Sequence, residues 1–272
     1  MKMTNRDYHA RPEISHSQLE VFRRSRKEYH ARFVARTLET APTPSLLLGT
    51  TVHALVLDPD AFGTELVVAP DVDRRTKAGK EQYEAWKATA PSSAAVITEA
   101  MLNEARHIAN AIYDSVDEMN LFRDRDGCEV PMMWTGYNGA DLRAKLDFVD
   151  YSRDLIVDIK TCQASTPKAF ANAAARFGYV RQAEWYRRGY MATQERMPTF
   201  VFVAVQTSEP YEVGLYQFSE ADIANAADQN DMLLESLMYC RKHDDWRGVH
   251  ENEVVELSLP RYAAYDDEYL TF

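Results

Sequence analysis

Leu155-Ile156-Val157-Asp158-Ile159-Lys160-Thr161 is the stretch on which the fold turns. Its apolar, β-branched run reads as a buried strand, and side chains along a strand alternate between faces. Asp158 and Lys160 therefore share one face, while Val157 and Ile159 point the other way into a core. A carboxylate and an ammonium set two residues apart in an apolar strand are costly to bury without a partner or a purpose. Upstream lies a second extended run, Arg143-Ala144-Lys145-Leu146-Asp147-Phe148-Val149-Asp150. The connection Tyr151-Ser152-Arg153-Asp154 is short enough to make the two strands antiparallel neighbours, so that Asp147 and Asp158 meet across the ladder. Converging carboxylates repel unless a cation or a proton lies between them. Mg²⁺ or Mn²⁺ is the natural cation for an all-oxygen set. Lys160 beside such a metal would orient or help activate an attacking water, which suits phosphodiester hydrolysis better than sugar or peptide chemistry. The bland alternative is an Asp158–Lys160 ion pair on an edge strand.

Outward from this pair, the pattern predicts extended segments over 129–137, 140–151 and 155–161, with a hairpin signal at Tyr137-Asn138-Gly139. Helices follow from about Thr166 or Pro167 to Arg176 and from about Val180 to Thr193. Strands at 199–206 and 213–218 and a helix over 221–239 lead into a polar tail. Towards the N-terminus, Ser17-Gln18-Leu19-Glu20 fits a capping box opening a helix to about Leu38. Ala41-Pro42-Thr43-Pro44-Ser45 stops it. A second helix runs from near Ser45 to Asp58-Pro59-Asp60 and carries His53. Residues 62–69 read as a short strand and 71–80 as a polar loop of the kind that orders on a substrate. Thr98 caps a long helix to about Met119. The sum is one α/β domain over 1–272, a mixed sheet with helix-rich flanks. Residues 1–122 form a mainly helical portion, 123–220 the sheet core, and 221–272 a helix and tail.

Three further features bear on chemistry. Glu129, one strand earlier, is another acid for the same site or a solvated side chain. His53 in Gly49-Thr50-Thr51-Val52-His53 is an imidazole ligand or a buried, hydrogen-bonded histidine. Gln182 and Tyr186 lie four apart on one helical face, placed to hold a phosphate or a base, or to pack in a core.

With 46% hydrophobic and 27% charged residues, the chain is neither disordered nor fibrous. No apolar run is long enough to span a membrane, and Met1 to Arg6 has no apolar segment of a signal peptide. Cys128, Cys162 and Cys240 are too few for a disulfide framework or a four-cysteine cluster, which points to the reducing cytoplasm. The net charge of -11 disfavours nucleic acid, but only as a sum. Residues 1–36 hold nine Lys or Arg against four acids, and Arg176, Arg181, Arg187 and Arg188 form a second basic set. DNA can therefore meet part of this surface while the acidic remainder repels it.

Together, His53, Glu129, Asp147, Asp158-Ile159-Lys160 and Gln182-Ala183-Glu184-Trp185-Tyr186 resemble the PD-(D/E)XK nuclease superfamily. Within it they resemble the RecB-like exonuclease branch, most of all nuclease domains of the exonuclease VIII (RecE) type. Ile14 to Leu19, Leu57 to Phe62, Arg74 to Lys80 and Glu256 to Pro260 extend the likeness over nearly the whole chain. The resemblance implies a restriction-endonuclease-like core with an N-terminal helical elaboration. Asp147, Asp158, His53 and the Ile159 carbonyl would bind Mg²⁺, and Glu129 would help place the metal and its water. Lys160 would assist the nucleophile, with Gln182 and Tyr186 against the DNA. The implied activity is 5′-to-3′ digestion of linear duplex DNA, leaving 3′ single strands for an annealing protein in phage-type recombination. A trimeric or tetrameric ring is implied as well. Leu146 stands where the family has proline before the first aspartate, a position without a metal-binding role. An endonuclease, a single-strand nuclease, or a silent DNA-binding scaffold would keep the same fold.

Overall fold

In a computed structural model, residues 3, 5–119, 121–122, 127–136, 138–248 and 250–258 are described. Lys2, Tyr137 and most of the acidic 249–272 tail, on which the readings above touched, lie outside them. The elements in chain order are α1 (Asn5–Ala10), β1 (Ile14–Ser15), α2 (His16–Arg24), α3 (Arg26–Tyr29), α4 (Pro44–Leu57), β2 (Leu66–Val68), α5 (Lys77–Thr89), β3 (Ala95–Ile97) and α6 (Glu99–Val116). Then come β4 (Cys128–Thr135), β5 (Asp141–Asp150), β6 (Leu155–Cys162), α7 (Pro167–Phe177), α8 (Tyr179–Gln194), β7 (Thr199–Gln206), β8 (Val213–Tyr216) and α9 (Glu220–His243).

The mixed α/β architecture expected from the pattern is present: a six-stranded mixed sheet flanked by helices. β5 pairs antiparallel with β4 and β6, β6 parallel with β7, and β7 antiparallel with β8. The β5–β6 ladder covers only residues 148–150 against 155–157. At its other end, the same edge of β5 pairs in parallel with β1, at Leu142 and Arg143. Between these two pairings the edge opens into a fork, and Asp147 stands at its apex.

Odd-numbered Val157, Ile159, Val203 and Val205 pack with α4 and α6 in one core. Even-numbered Ile156, Phe200, Phe202 and Ala204 pack with α2, α8 and α9 in the other. Leu142, Ala144 and Leu146 join the second core, yet Phe148 joins the first. The alternation along β5 therefore slips by one residue between Leu146 and Phe148. Opposite the slip, Glu129 of β4 has a φ of 56°. This left-handed, non-glycine residue marks a local irregularity without an inserted residue, since Cys128 still faces Phe148 and Val130 still faces Leu146.

Local chemistry explains the helix boundaries. Thr98 caps α6 through Met101 N, and Thr166 caps α7 through Ala169 N. Gly178, at a φ of 76°, ends α7 and immediately starts α8, a corner that an L side chain would strain. The N-terminal helix differs from the sequence reading in two ways. Its capping box is formed by Ser15 and Gln18, because Ser17 already lies in the first turn. It also stops at Ser25 rather than near Leu38. Ser25 is extended; its backbone N–H donates to the Val21 carbonyl and its hydroxyl accepts the Glu28 N–H, so one residue closes α2 and opens α3. A π-helical turn, His30–Val34, follows. The polar loop expected over 71–80 ends at Thr76, which caps α5. The strand expected over 62–69 shortens to β2, paired with β3.

Candidate active site

The fork collects the chemistry. Asp147 Oδ2 accepts the Ile159 N–H at 2.8 Å, satisfying an amide that the departing strand β5 leaves without a ladder partner. Asp158 is 1% exposed and faces the same opening. Lys160 Nζ bonds one of its carboxylate oxygens, and Gln182 Nε2 donates to the other at 2.7 Å. Tyr186 lies one turn further along α8 beside Gln182, and burial pushes its phenol well above the usual range. Trp185 Nε1 donates to the Arg143 carbonyl at 2.9 Å and docks α8 on β5.

α4 reaches the fork from the opposite face of the sheet. His53 Nε2–H donates to the Ile159 carbonyl at 3.0 Å. This bond leaves the Nδ1 lone pair directed at Asp147 Oδ2, 3.5 Å away. A lone pair facing a carboxylate is repulsive unless a proton or a cation lies between them.

Burial lifts the Asp147 carboxyl from its usual 3.8 to about 6, against the opposing pull of Lys160. Burial lifts Asp158 to about 6 in the same way, with Lys160 lowering it and Asp147 raising it. Burial also disfavours the Lys160 ammonium, but the two aspartates more than offset this and its pKa is raised. Burial lowers His53, so the imidazole is neutral, the form that binds metal.

Ligand atoms of His53, Glu129 and Asp147 all lie within 4.8 Å of one another. Two carboxylates and a neutral imidazole with a free lone pair, in a pocket that penalises uncompensated negative charge, fit a divalent cation. Glu129 thus stands within the donor set, although its sequence signal alone was ambiguous. Asp158 stands beside that set with its oxygens shared between Lys160 and Gln182.

The structure adds Lys145, whose Nζ bonds both the Glu129 carboxylate and Asn5 Oδ1. Its place two residues before Asp147, on the same strand face, was the available signal. Asn5, 140 residues away in sequence, carried none. The second basic set is largely turned inward. Arg181 pairs with Glu20, Arg187 with Glu220, and Arg188 with Glu184 and Asp231. The pairs with Glu20, Glu220 and Asp231 fasten α8 to α2 and α9, and so hold Gln182 in place. Cys128 and Cys240 are buried and Cys162 half-buried, all as free thiols. No helix among the described residues is long and apolar enough to cross a membrane.

A sheet forked at an aspartate, with Asp-x-Lys on the neighbouring strand and a Gln-x-x-x-Tyr helix above it, defines the PD-(D/E)XK nuclease fold class. The chain belongs to one family in that class, the PDDEXK-like domain of unknown function DUF3799, whose model matches residues 15–253. Among solved structures, it is similar to a protein from Eubacterium rectale described as "Putative exonuclease". The TM-score is 0.65 at 14% identity, over 98% of this chain and 99% of that one. A second structure, SSO0001, gives a TM-score of 0.29 at 16% identity over 68% of this chain and 86% of that one, and supports nothing further. No curated protein matches.

Proposed function

We propose that this protein is a Mg²⁺-dependent deoxyribonuclease, with Mn²⁺ able to substitute, that digests linear double-stranded DNA from its ends. The carrying observation is the fork, where Asp147, Asp158, Glu129 and His53 converge beside Lys160. Asp147, Glu129 and His53 Nδ1 would hold the ion, with Asp158 and the Ile159 carbonyl adjoining. A bound divalent ion would polarise a phosphate oxygen and lower the pKa of a coordinated water. Asp158 fixes Lys160, whose ammonium lies over the rings of Tyr179 and Phe202 at 5.1 and 5.8 Å. From there Lys160 orients the attacking water and stabilises negative charge at phosphorus. Gln182 holds Asp158, and Tyr186 stands one turn along the same helix, beside the path of the DNA. Water oxygen bonds to phosphorus, the P–O3′ bond breaks, and a 5′-phosphate and a 3′-hydroxyl result.

The likeness to exonuclease VIII-type domains supports 5′-to-3′ polarity, 3′ overhangs passed to a single-strand annealing protein, and a trimeric or tetrameric ring. It also supports residues 1–272 working as one nuclease unit. The free cysteines support work in a reducing cytoplasm.

The test is digestion of end-labelled linear duplex and of covalently closed circles, with Mg²⁺ and with chelator. Mg²⁺-dependent nucleotide release from the linear DNA, intact circles, and inactivity of Lys160→Ala are expected. Absence of metal-dependent release from wild type refutes the enzyme reading, and cleavage of the circles refutes the exonuclease mode.

A further inference from the structure

The segment 71–89 stands apart from both cores. In α5 only Gly79 is buried, and among the described residues no hydrophobic cluster includes a residue of this helix. A 13-residue helix is about 20 Å long. Its order comes from its own contacts. Tyr83 packs on Trp86 with ring centroids 5.5 Å apart, and the Arg74 guanidinium lies 4.2 Å over the Tyr83 ring.

The interval 74–80 carries four cations, Arg74, Arg75, Lys77 and Lys80, and no acid, in a chain of net charge -11. Their display is built rather than incidental. Asp73 bonds the Arg75 amide, and its carbonyl accepts the Thr76 N–H and hydroxyl. This turn lies so close to the helix that a Cβ on Gly79 would sit 2.1 Å from the Asp73 carbonyl oxygen. Arg75 and Lys77 do have acidic neighbours, Asp73 and Glu81. At side-chain exposures of 92% and 91%, however, these pairs are solvated and hold the cations weakly.

The arm is rooted beside the fork. β2 and β3, which bracket it, pack in one cluster with Ala54, the residue after His53. Glu65 accepts the Asn5 N–H at 3.1 Å, and Asn5 in turn bonds Lys145, the partner of Glu129.

From these observations we infer that the 71–89 arm is a docking surface for duplex DNA, gripping backbone phosphates through Arg75, Lys77 and Lys80 beside the cleavage site. The inference rests on the nuclease reading of the fork and adds the surface that holds the substrate there. Sequence-independent grip of this kind releases counterions from DNA, so it is read in the salt dependence of affinity.

The experiment measures binding of a fluorescein-labelled 30-base-pair duplex in chelator, from low to moderate salt. It compares wild type with the triple variant Arg75→Ala/Lys77→Ala/Lys80→Ala. Loss of three phosphate contacts lowers the magnitude of the log K against log[salt] slope by about 3. Lys87→Ala, at the far end of the helix, leaves the slope unchanged. Gly79→Ala keeps every charge but forces the turn open, and also weakens binding. Mg²⁺-dependent hydrolysis of the p-nitrophenyl ester of thymidine 5′-monophosphate, too small to span from fork to arm, is the same in all four proteins.

An unchanged slope in the triple variant overturns the inference, as does absence of duplex binding by wild type. Arm-dependent binding without hydrolysis of either substrate supports the arm and refutes the nuclease reading instead.

Discussion

Asp147→Asn in the metal-free protein tests whether the fork stores unfavourable charge. The Asp147 carboxyl rises from 3.8 to about 6, chiefly through burial. An acid whose folded pKa exceeds its unfolded value holds its proton more tightly in the native state. It therefore favours folding below about pH 4, and that preference is lost as the pH rises through 6. A rise of two units corresponds to about 3 kcal/mol of stability missing at pH 8. Asparagine carries no charge, and its Oδ1 still accepts the Ile159 N–H that Asp147 Oδ2 accepts. Neutrality at 147 also relieves Asp158, which burial foremost, and then the charge of Asp147, hold up against Lys160. The variant is therefore more stable than wild type at pH 8 in chelator, by about 1–3 kcal/mol once imperfect replacement of the carboxylate is allowed for. The gap opens between about pH 4 and 6 and is flat above about pH 7. Urea unfolding followed by tryptophan fluorescence, repeated from about pH 4 to 8, measures it. Added Mg²⁺ reverses the order, because only wild type keeps the full donor set and gains stability from binding. A variant less stable than wild type at pH 8 in chelator, or a gap that ignores pH, refutes the account of the fork.

Gln182→Ala removes a charge-assisted bond of about 1.5–3 kcal/mol from a buried carboxylate, and should lower kcat by about 10- to 100-fold. The acidic limb of its pH–rate profile should move to higher pH; an unmoved limb would mean that Gln182 does not hold Asp158 for catalysis. Glu129→Gln should weaken Mg²⁺ binding, read by calorimetry, and unchanged affinity would remove Glu129 from the donor set. Ser15→Ala breaks the capping box and should cost about 1 kcal/mol in urea unfolding, with no change in Mg²⁺ affinity. A loss at Ser17→Ala equal to that at Ser15→Ala would contradict the assigned cap.

Several features were legible in the linear chain because they rest on local rules. The alternation in Val157-Asp158-Ile159-Lys160 separates core from site, as Ile159 at 0% exposure beside a half-buried Lys160 bears out. The short link between β5 and β6 dictates their antiparallel pairing. Thr98 and Thr166 carry the caps of α6 and α7 in their own hydroxyls. The break at Ser25 was not legible, since serine also occurs within helices and only its extended backbone shows which role it takes.

The tertiary structure alone decided how the site is assembled. β5 is shared by β1 at one end and β6 at the other, and only that division opens the fork at Asp147. The irregularity at Glu129, opposite Asp147, shifts which side chains face inward, an outcome set by the packing of two cores rather than by residues 127–130 themselves. His53 and Ile159 lie 106 residues apart, and Lys145 and Asn5 lie 140 apart. Contacts of that span follow from where whole elements pack, which local propensity does not encode. Net charge has the same limit. It is a sum over 272 residues, whereas DNA meets a surface, and the fold chooses which cations are paired inward, as Arg181 is, and which stand out on α5.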